Sequence, residues 1–347
     1  MVYRIGIAGC GTVGRGLVAL LGEKREYLEK KYGFRFTLNL VSDFIKGTVA
    51  SDDGMDPADI IKNLNEKGDL RFMKEAQEVT GTNPLANLLA RTPVDILCDA
   101  TPTNYETGEP SLGILRTAIQ SGAHAVTCSK GGVGLDLAGL QELASAKDVQ
   151  IRYESSVLSG TPLLNLVRGP LAGCVVEKVM GIVNGTTNYI LTMMEGGAGY
   201  AESLKEAQRL GYAETDPTGD VEGFDSAVKV CIMAQEFFGR KLNVAEIDRQ
   251  GITALTVSDV KTAQAEGKRI KLIAGIERNG DSVSGYVKPI AVGLSHPLAS
   301  VMGATNAVCL TTDSLGDVTI IGPGAGAKET AQGLLSDMLS IQALSYR

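Results

Sequence analysis

YRIGIAGCGTVGRG, residues 3–16, decides the fold. An apolar run rich in isoleucine ends in a glycine cluster, and a helical stretch follows from about Val13, so the segment reads as strand, tight turn, helix. Gly9, Gly11 and Gly14 have the G-x-G-x-x-G spacing of a dinucleotide fingerprint. Gly9 permits the turn, Gly11 lets backbone N–H groups approach a pyrophosphate, and Gly14 lets helix and strand pack closely, with phosphates over the positive helix end.

Outward from this unit, FTLNLVSD (36–43) reads as a second strand closed by Asp43, placed to accept hydrogen bonds from an adenosine ribose. Lys46 nearby is placed to neutralise a 2′-phosphate, so NAD and NADP both stay open. Residues 52–91 are polar and helix-prone and read as surface helices and loops. VDILCDA (94–100) and HAVTCS (124–129) read as buried strands with a helix over 109–121 between them. This alternation predicts a doubly wound parallel sheet, whose ligands sit at the carboxyl ends of the strands. Thr101 and Lys130 fall at such ends.

The 347 residues suit about two domains. Apolar residues at 44% and 42 glycines exclude a disordered chain, and a net charge of −7 without tryptophan argues against a nucleic-acid partner. Six cysteines without a C-x-x-C pair point to the cytoplasm. No apolar run reaches membrane length. Two histidines exclude a three-histidine zinc site, so proton chemistry falls to Lys, Asp, Glu or Tyr.

The character of the chain changes near 150. VEKVMGIVNGTTNYILTMM (176–194) reads as a strand, a turn at 184–186 and a helix whose first N–H groups, at Gly185 and Thr186, suit a carboxylate. LGYAETDPTGDVEGFDSAVKV (210–230) crowds Glu214, Asp216, Asp220, Glu222 and Asp225 before a helix on which Asp225 and Lys229 are i, i+4 neighbours. Near the C-terminus, a second glycine turn, Gly322 to Gly326, leads into a final helix. The expected division is a Rossmann-type domain over 1–150, with 315–347 packing back on it, and an α+β domain over 151–314.

Taken in order, GIAGCGTVGRG, ATPTNYETGEP (100–110), SKGG (129–132), YESSVLSGTP (153–162), NGTTNYIL (184–191), GYAETDPTGDVEGFDSAVK (211–229) and IIGPGAGAKETA (320–331) resemble the homoserine dehydrogenase family over nearly the whole chain. The family interconverts L-homoserine and L-aspartate 4-semialdehyde with NAD or NADP, in threonine and methionine biosynthesis. The resemblance implies that Gly11, Thr12, Val13 and Gly14 meet the cofactor pyrophosphate, with Thr101 and the Gly324 turn on the cofactor's other side. It places Lys130 by the reacting carbon and gives substrate contacts to Glu214, Asp225 and Lys229, helped by Gly185 and Thr186, with Asp220 in the same loop. It also implies a structural sodium ion held mainly by carbonyls at Glu154, Val157, Ser159 and Thr161, a mixed-sheet substrate domain and a homodimer. The expected form is the short one, without a C-terminal regulatory domain.

The chemistry fits these residue types. Oxidising a primary alcohol leaves an oxygen that must lose a proton, and a lysine can stabilise that oxygen or move the proton. Lys229, with Asp225 one turn before it, is favoured as a charged holder, and Lys130 as the proton-transfer partner. An amino-acid substrate brings an ammonium for Glu214 and Asp225 and a carboxylate for the N–H groups at 185–186. Two rival readings are another amino-acid or semialdehyde dehydrogenase, of which an acylating one needs a nucleophilic thiol such as Cys128, and a non-catalytic NAD-binding redox regulator, which needs a basic reading helix.

Overall fold

The computed structural model describes residues 1–78 and 84–345. The chain forms two compact units, Met1–Gly160 with Gly326–Arg347, and Thr161–Ala325.

In the first unit, β1 (Val2–Ala8), β2 (Arg35–Asp43), β3 (Gly47–Met55), β4 (Ala76–Gln77), β5 (Ile96–Asp99), β6 (His124–Thr127) and β7 (Ile151–Arg152) form one sheet in the order 4-3-2-1-5-6-7. The strands from β2 through β1 and β5 to β7 are parallel. β3 and β4 run antiparallel at the edge, and β3 returns from β2 as a hairpin. The sequence reading of 52–91 as helices and loops therefore misses the end of β3, whose SDDG segment is too polar to read as a strand. Between β1 and β2 lies α1 (Thr12–Tyr32), and after β6 comes α2 (Lys130–Ala146), kinked at Asp136. Ile5 and Ile7 of β1 and Leu17, Leu20 and Leu21 of α1 share a core with Leu334, Leu335, Met338 and Ile341 of the C-terminal helix, Ala327–Ser345. Burying such a set removes several hundred Å² of apolar surface from water, at about 25 cal/mol per Å².

The unit boundaries differ from those expected at 150 and 315. Residues 153–160 stay with the first unit because the C-terminal helix holds them: the Glu154 N–H donates to Asp337 Oδ2 at 2.8 Å, and the Ser155 hydroxyl to the Thr330 carbonyl at 2.9 Å. Residues 315–325 leave it because they form a strand of the other sheet.

In the second unit, β8 (Val176–Ile182), β9 (Asp248–Arg249), β10 (Lys268–Asn279), β11 (Ser282–Gly293), β12 (Thr305–Thr312) and β13 (Gly316–Pro323) form a mixed sheet in the order 13-12-8-10-11-9. Its pairings are antiparallel except β9 with β11. The helices that carry the candidate residues here are α3 (Gly185–Glu195) and α4 (Phe224–Phe238). Among the described residues, no helix is long and apolar enough to cross a membrane.

Candidate functional site

The first unit presents a cradle at the start of α1. Gly9 turns at φ 90°, where a Cβ would lie 2.6 Å from the Ala100 carbonyl oxygen. A Cβ on Gly14 would collide with the Gly9 carbonyl, so helix and turn are in direct backbone contact. At Gly11, by contrast, a Cβ would meet nothing within 4 Å. Gly11 is also the N-cap of α1, and no side chain caps this helix end. Thr12, Val13 and Gly14 thus begin a helix with its N-terminal donors directed at the open space over Gly11, an arrangement that suits a pyrophosphate.

Asp43 does more here than close a strand. Its carboxylate accepts from the N–H of Cys10 at 2.7 Å and from those of Ile45 and Lys46 at 2.9 Å each. Lys46 Nζ donates to the Cys10 carbonyl at 2.6 Å. Burial works against the charged carboxylate, but the N–H groups of Lys46, Cys10 and Ile45, with the Lys46 ammonium, outweigh it and hold Asp43 below its ordinary range. Asp43 and Lys46, which the sequence sets up as rivals for a ribose and a 2′-phosphate, are joined in holding the glycine turn.

At the next strand ends, the structure adds a residue the sequence reading passed over. Asp99 is fully buried, and its carboxylate accepts from Thr101 Oγ1 at 2.6 Å, Ser111 Oγ at 2.5 Å and Thr127 Oγ1 at 2.8 Å. Burial pushes its carboxyl up, against the pull of these hydrogen bonds. An acid ending an apolar parallel strand was the available signal. Asp99 thereby fixes Thr101 and the end of β6, from which α2 starts at Lys130. The Lys130 N–H donates to Thr103 Oγ1 at 3.2 Å. Gly131 packs so closely that a Cβ would lie 2.8 Å from the Asn104 carbonyl oxygen. Burial, then the Asp99 charge, pushes the Cys128 thiol up to about 12, away from the thiolate. That runs against the acylating semialdehyde dehydrogenase reading, which needs a thiolate there.

Glu154, Val157 and Ser159 lie in one buried segment of this unit, with Ser159 at φ 58°. Thr161, also buried, opens the second unit, where its hydroxyl donates to the Pro323 carbonyl at 2.9 Å. Carbonyls and a single carboxylate are the hard oxygen donors that a hard cation takes. Among the described residues, no cluster of three or more His, Cys, Asp or Glu could hold a metal.

In the second unit, the start of α3 is the centre of a buried polar network. Asn184 caps α3, its Oδ1 accepting from the Thr187 N–H at 3.0 Å. Its amide nitrogen donates to Asp220 Oδ1 at 2.7 Å and to Asp225 Oδ2 at 3.1 Å. Asp225 Oδ2 also pairs with Lys229 Nζ at 2.7 Å, and Lys229 donates to the Val183 carbonyl at 2.6 Å. The pair is buried, with side chains 8% and 7% exposed for Lys229 and Asp225, so each charge depends on the other more than on water. Thr186 Oγ1 donates to the Tyr212 carbonyl at 2.5 Å, tying α3 to the acidic loop. A Cβ on Gly185 would lie 2.7 Å from the Ala304 carbonyl oxygen, which explains glycine there.

Of the five acids grouped by sequence, Asp220 and Asp225 meet at Asn184. Glu214 stands exposed, Asp216 accepts from the Thr218 N–H at 3.1 Å, and Glu222 accepts from Thr253 Oγ1 at 2.8 Å. Asn184 was missed; the signal was a cap residue before Gly-Thr-Thr. Asn306 was missed as well. It is fully buried with neither amide atom hydrogen-bonded among the described residues, and it fills the space that a Cβ on Gly324 would need.

Comparison with known proteins matches residues 9–154 to the homoserine dehydrogenase NAD-binding domain and residues 162–339 to the homoserine dehydrogenase family. The chain is 41% identical to an NAD(+)-dependent homoserine dehydrogenase of Pseudomonas canavaninivorans, over 99% of this chain and 97% of that one. It is 35% identical to a homoserine dehydrogenase of Methanocaldococcus jannaschii, over 96% and 97% of the two chains. A solved hyperthermophilic archaeal homoserine dehydrogenase in complex with NADPH superposes with a TM-score of 0.84 at 26% identity, covering 99% of this chain and 98% of that one.

Proposed function

The chain belongs to the homoserine dehydrogenase family, and from that premise we propose how its residues share the work. The reaction is the NAD(P)-dependent oxidation of L-homoserine to L-aspartate 4-semialdehyde, which is reversible and belongs to amino-acid biosynthesis.

Gly9, Gly11, Thr12, Val13 and Gly14 hold the pyrophosphate at the start of α1, with Thr101 and Gly324 as further cofactor contacts. The bound nicotinamide supplies the hydride acceptor. Asp43 serves the adenosine ribose while securing the turn, and both NAD and NADP are used. Asp43→Ser is expected to raise the NADP-to-NAD ratio of kcat/KM about tenfold, the worth of relieving roughly 1.4 kcal/mol of repulsion against a 2′-phosphate. Parallel steady-state assays with the two cofactors check this; an unchanged ratio places the ribose contact elsewhere.

The N–H groups of Gly185 and Thr186 receive the homoserine carboxylate, and Glu214 and Asp225 face its ammonium, with Asp220 holding Asn184 in place. Lys229, kept charged by Asp225, holds the hydroxyl oxygen and polarises the aldehyde in the reverse direction. Lys130 takes the hydroxyl proton as the alcohol is oxidised. A sodium ion held by oxygens of Glu154, Val157, Ser159 and Thr161 has a structural role. The enzyme works as a homodimer in the cytoplasm, a reading supported by the family resemblance and by six cysteines that are all free.

The observation that carries the substrate assignment is the network of buried Asn184, Asp225 and Lys229 with the partly buried Asp220 at the start of α3. Its test is homoserine turnover against analogues that lack one of the two charged groups.

A further inference from the structure

Lys271 is a fully buried lysine that the reaction does not use. It lies on β10, two residues before Ile273, which packs in a small core with Leu298, Ala299 and Val301. A strand places residues two apart on one face, so the Lys271 ammonium is directed into that core rather than to water. There it donates to the Val301 carbonyl at 2.6 Å and to Asn188 Oδ1 at 3.1 Å, and approaches Met302 Sδ at 3.4 Å. Among the described residues, no carboxylate pairs with it. The charges that face it are Glu195 at the end of α3 and Arg269 on its own strand, and these two pair with each other at 3.4 Å. Burial pulls its ammonium down to about 8.

A buried ammonium without an acid partner costs folding free energy, and an apolar residue of like volume avoids that cost. What the lysine supplies is a hydrogen-bonded link. Asn188, one turn beyond Asn184 on α3, donates its amide to the Val301 and Thr305 carbonyls at 3.3 and 3.0 Å. One turn further, Thr192 Oγ1 accepts from the Gly303 N–H at 3.0 Å. The same face of α3 therefore carries Asn184 towards Asp220 and Asp225, and Asn188 and Thr192 towards the segment 301–305. Lys271 joins Asn188, that segment and the sheet at one nitrogen.

We propose that Lys271 is a positioning residue for homoserine binding: by holding Asn188 and the Val301 carbonyl it fixes the height and rotation of α3, and so the placement of Asn184 and of the Gly185 and Thr186 N–H groups. This rests on the assignment of the start of α3 to the substrate. Removing the link shifts these donors from the substrate carboxylate without touching the glycine turn of the first unit.

Lys271→Met keeps volume and removes the donor. It is expected to raise the KM for L-homoserine about 10- to 100-fold, as loss of alignment of this order does, with the KM for NAD within about twofold of wild type. Asn188→Ala, which cuts the link from the other side, is expected to give the same split, and the double variant to be no worse than the poorer single one. An unchanged homoserine KM in Lys271→Met contradicts the proposal, as does a matching rise in both KM values. If Lys271→Met does not fold, Asn188→Ala decides by the same criteria. Hydrogen exchange over 185–195 separates this proposal from the substrate assignment. Faster exchange in the variant, combined with no homoserine turnover by wild type, rejects the substrate and keeps the positioning; unchanged exchange rejects the positioning.

Discussion

Lys130→Ala is expected to lower kcat for L-homoserine oxidation by about 10²–10⁴-fold, the usual worth of a positioned proton-transfer group. Lys130 is the first residue of α2, half-buried, with its backbone fixed on Thr103 and the following glycine pressed against the Asn104 carbonyl. A side chain rooted this firmly starts from a defined point. Deleting it is expected to leave the KM for NAD near wild type, because Lys130 lies outside the glycine turn. Single-turnover and steady-state kinetics check the split between kcat and KM. If Lys130→Ala keeps near wild-type kcat while Lys229→Ala loses several decades, the two lysines exchange roles.

The second large effect falls on stability as well as turnover. Lys229→Met leaves the Asp225 carboxylate buried without its cation, and breaking a buried pair from one side costs about 3–5 kcal/mol. Asn184 still donates to Asp225 and Asp220, but a neutral amide does not replace a charge. The expected result is a lower denaturant midpoint at unchanged m-value, with homoserine oxidation weakened mainly through a raised KM. Adding Asp225→Asn to Lys229→Met removes that charge and is expected to restore most of the stability but not the KM for homoserine. A Lys229→Met protein as stable as wild type would show that the pair is not held as described.

The N-terminal half of the architecture was legible because its signals are local. The glycine turn, Asp43 and the alternation of strands and helices each occupy a short stretch whose spacing carries the geometry. The same holds for Asp225 and Lys229, four residues apart on one helix. What was illegible depended on distant partners. Asn184 earns its place through two carboxylates 36 and 41 residues away, and Asp99 through hydroxyls at 111 and 127. Nothing in the sequence singles out Lys271, and only the segment at 301–305 and Asn188 reveal its buried setting. Strand β3, one in from the edge, escaped because its polar residues carry no period-2 alternation, and β13 was placed in the wrong unit because the expected division kept 315–347 together with the final helix. Glu214, grouped by proximity in sequence, stands exposed while Asp220 and Asp225 turn inward.

The central claim is that the start of α3 and the acidic loop recognise an amino alcohol by both of its charges. Steady-state oxidation of L-homoserine, 4-hydroxybutanoate and 3-aminopropanol, each with NAD and with NADP, tests it most directly. Turnover of L-homoserine is expected, with kcat/KM about 10- to 100-fold or more above either analogue, since each analogue forfeits a charged hydrogen-bonding group worth about 1.5–3 kcal/mol. Equal turnover of 4-hydroxybutanoate, or no turnover of L-homoserine by folded protein that binds NAD, would contradict it.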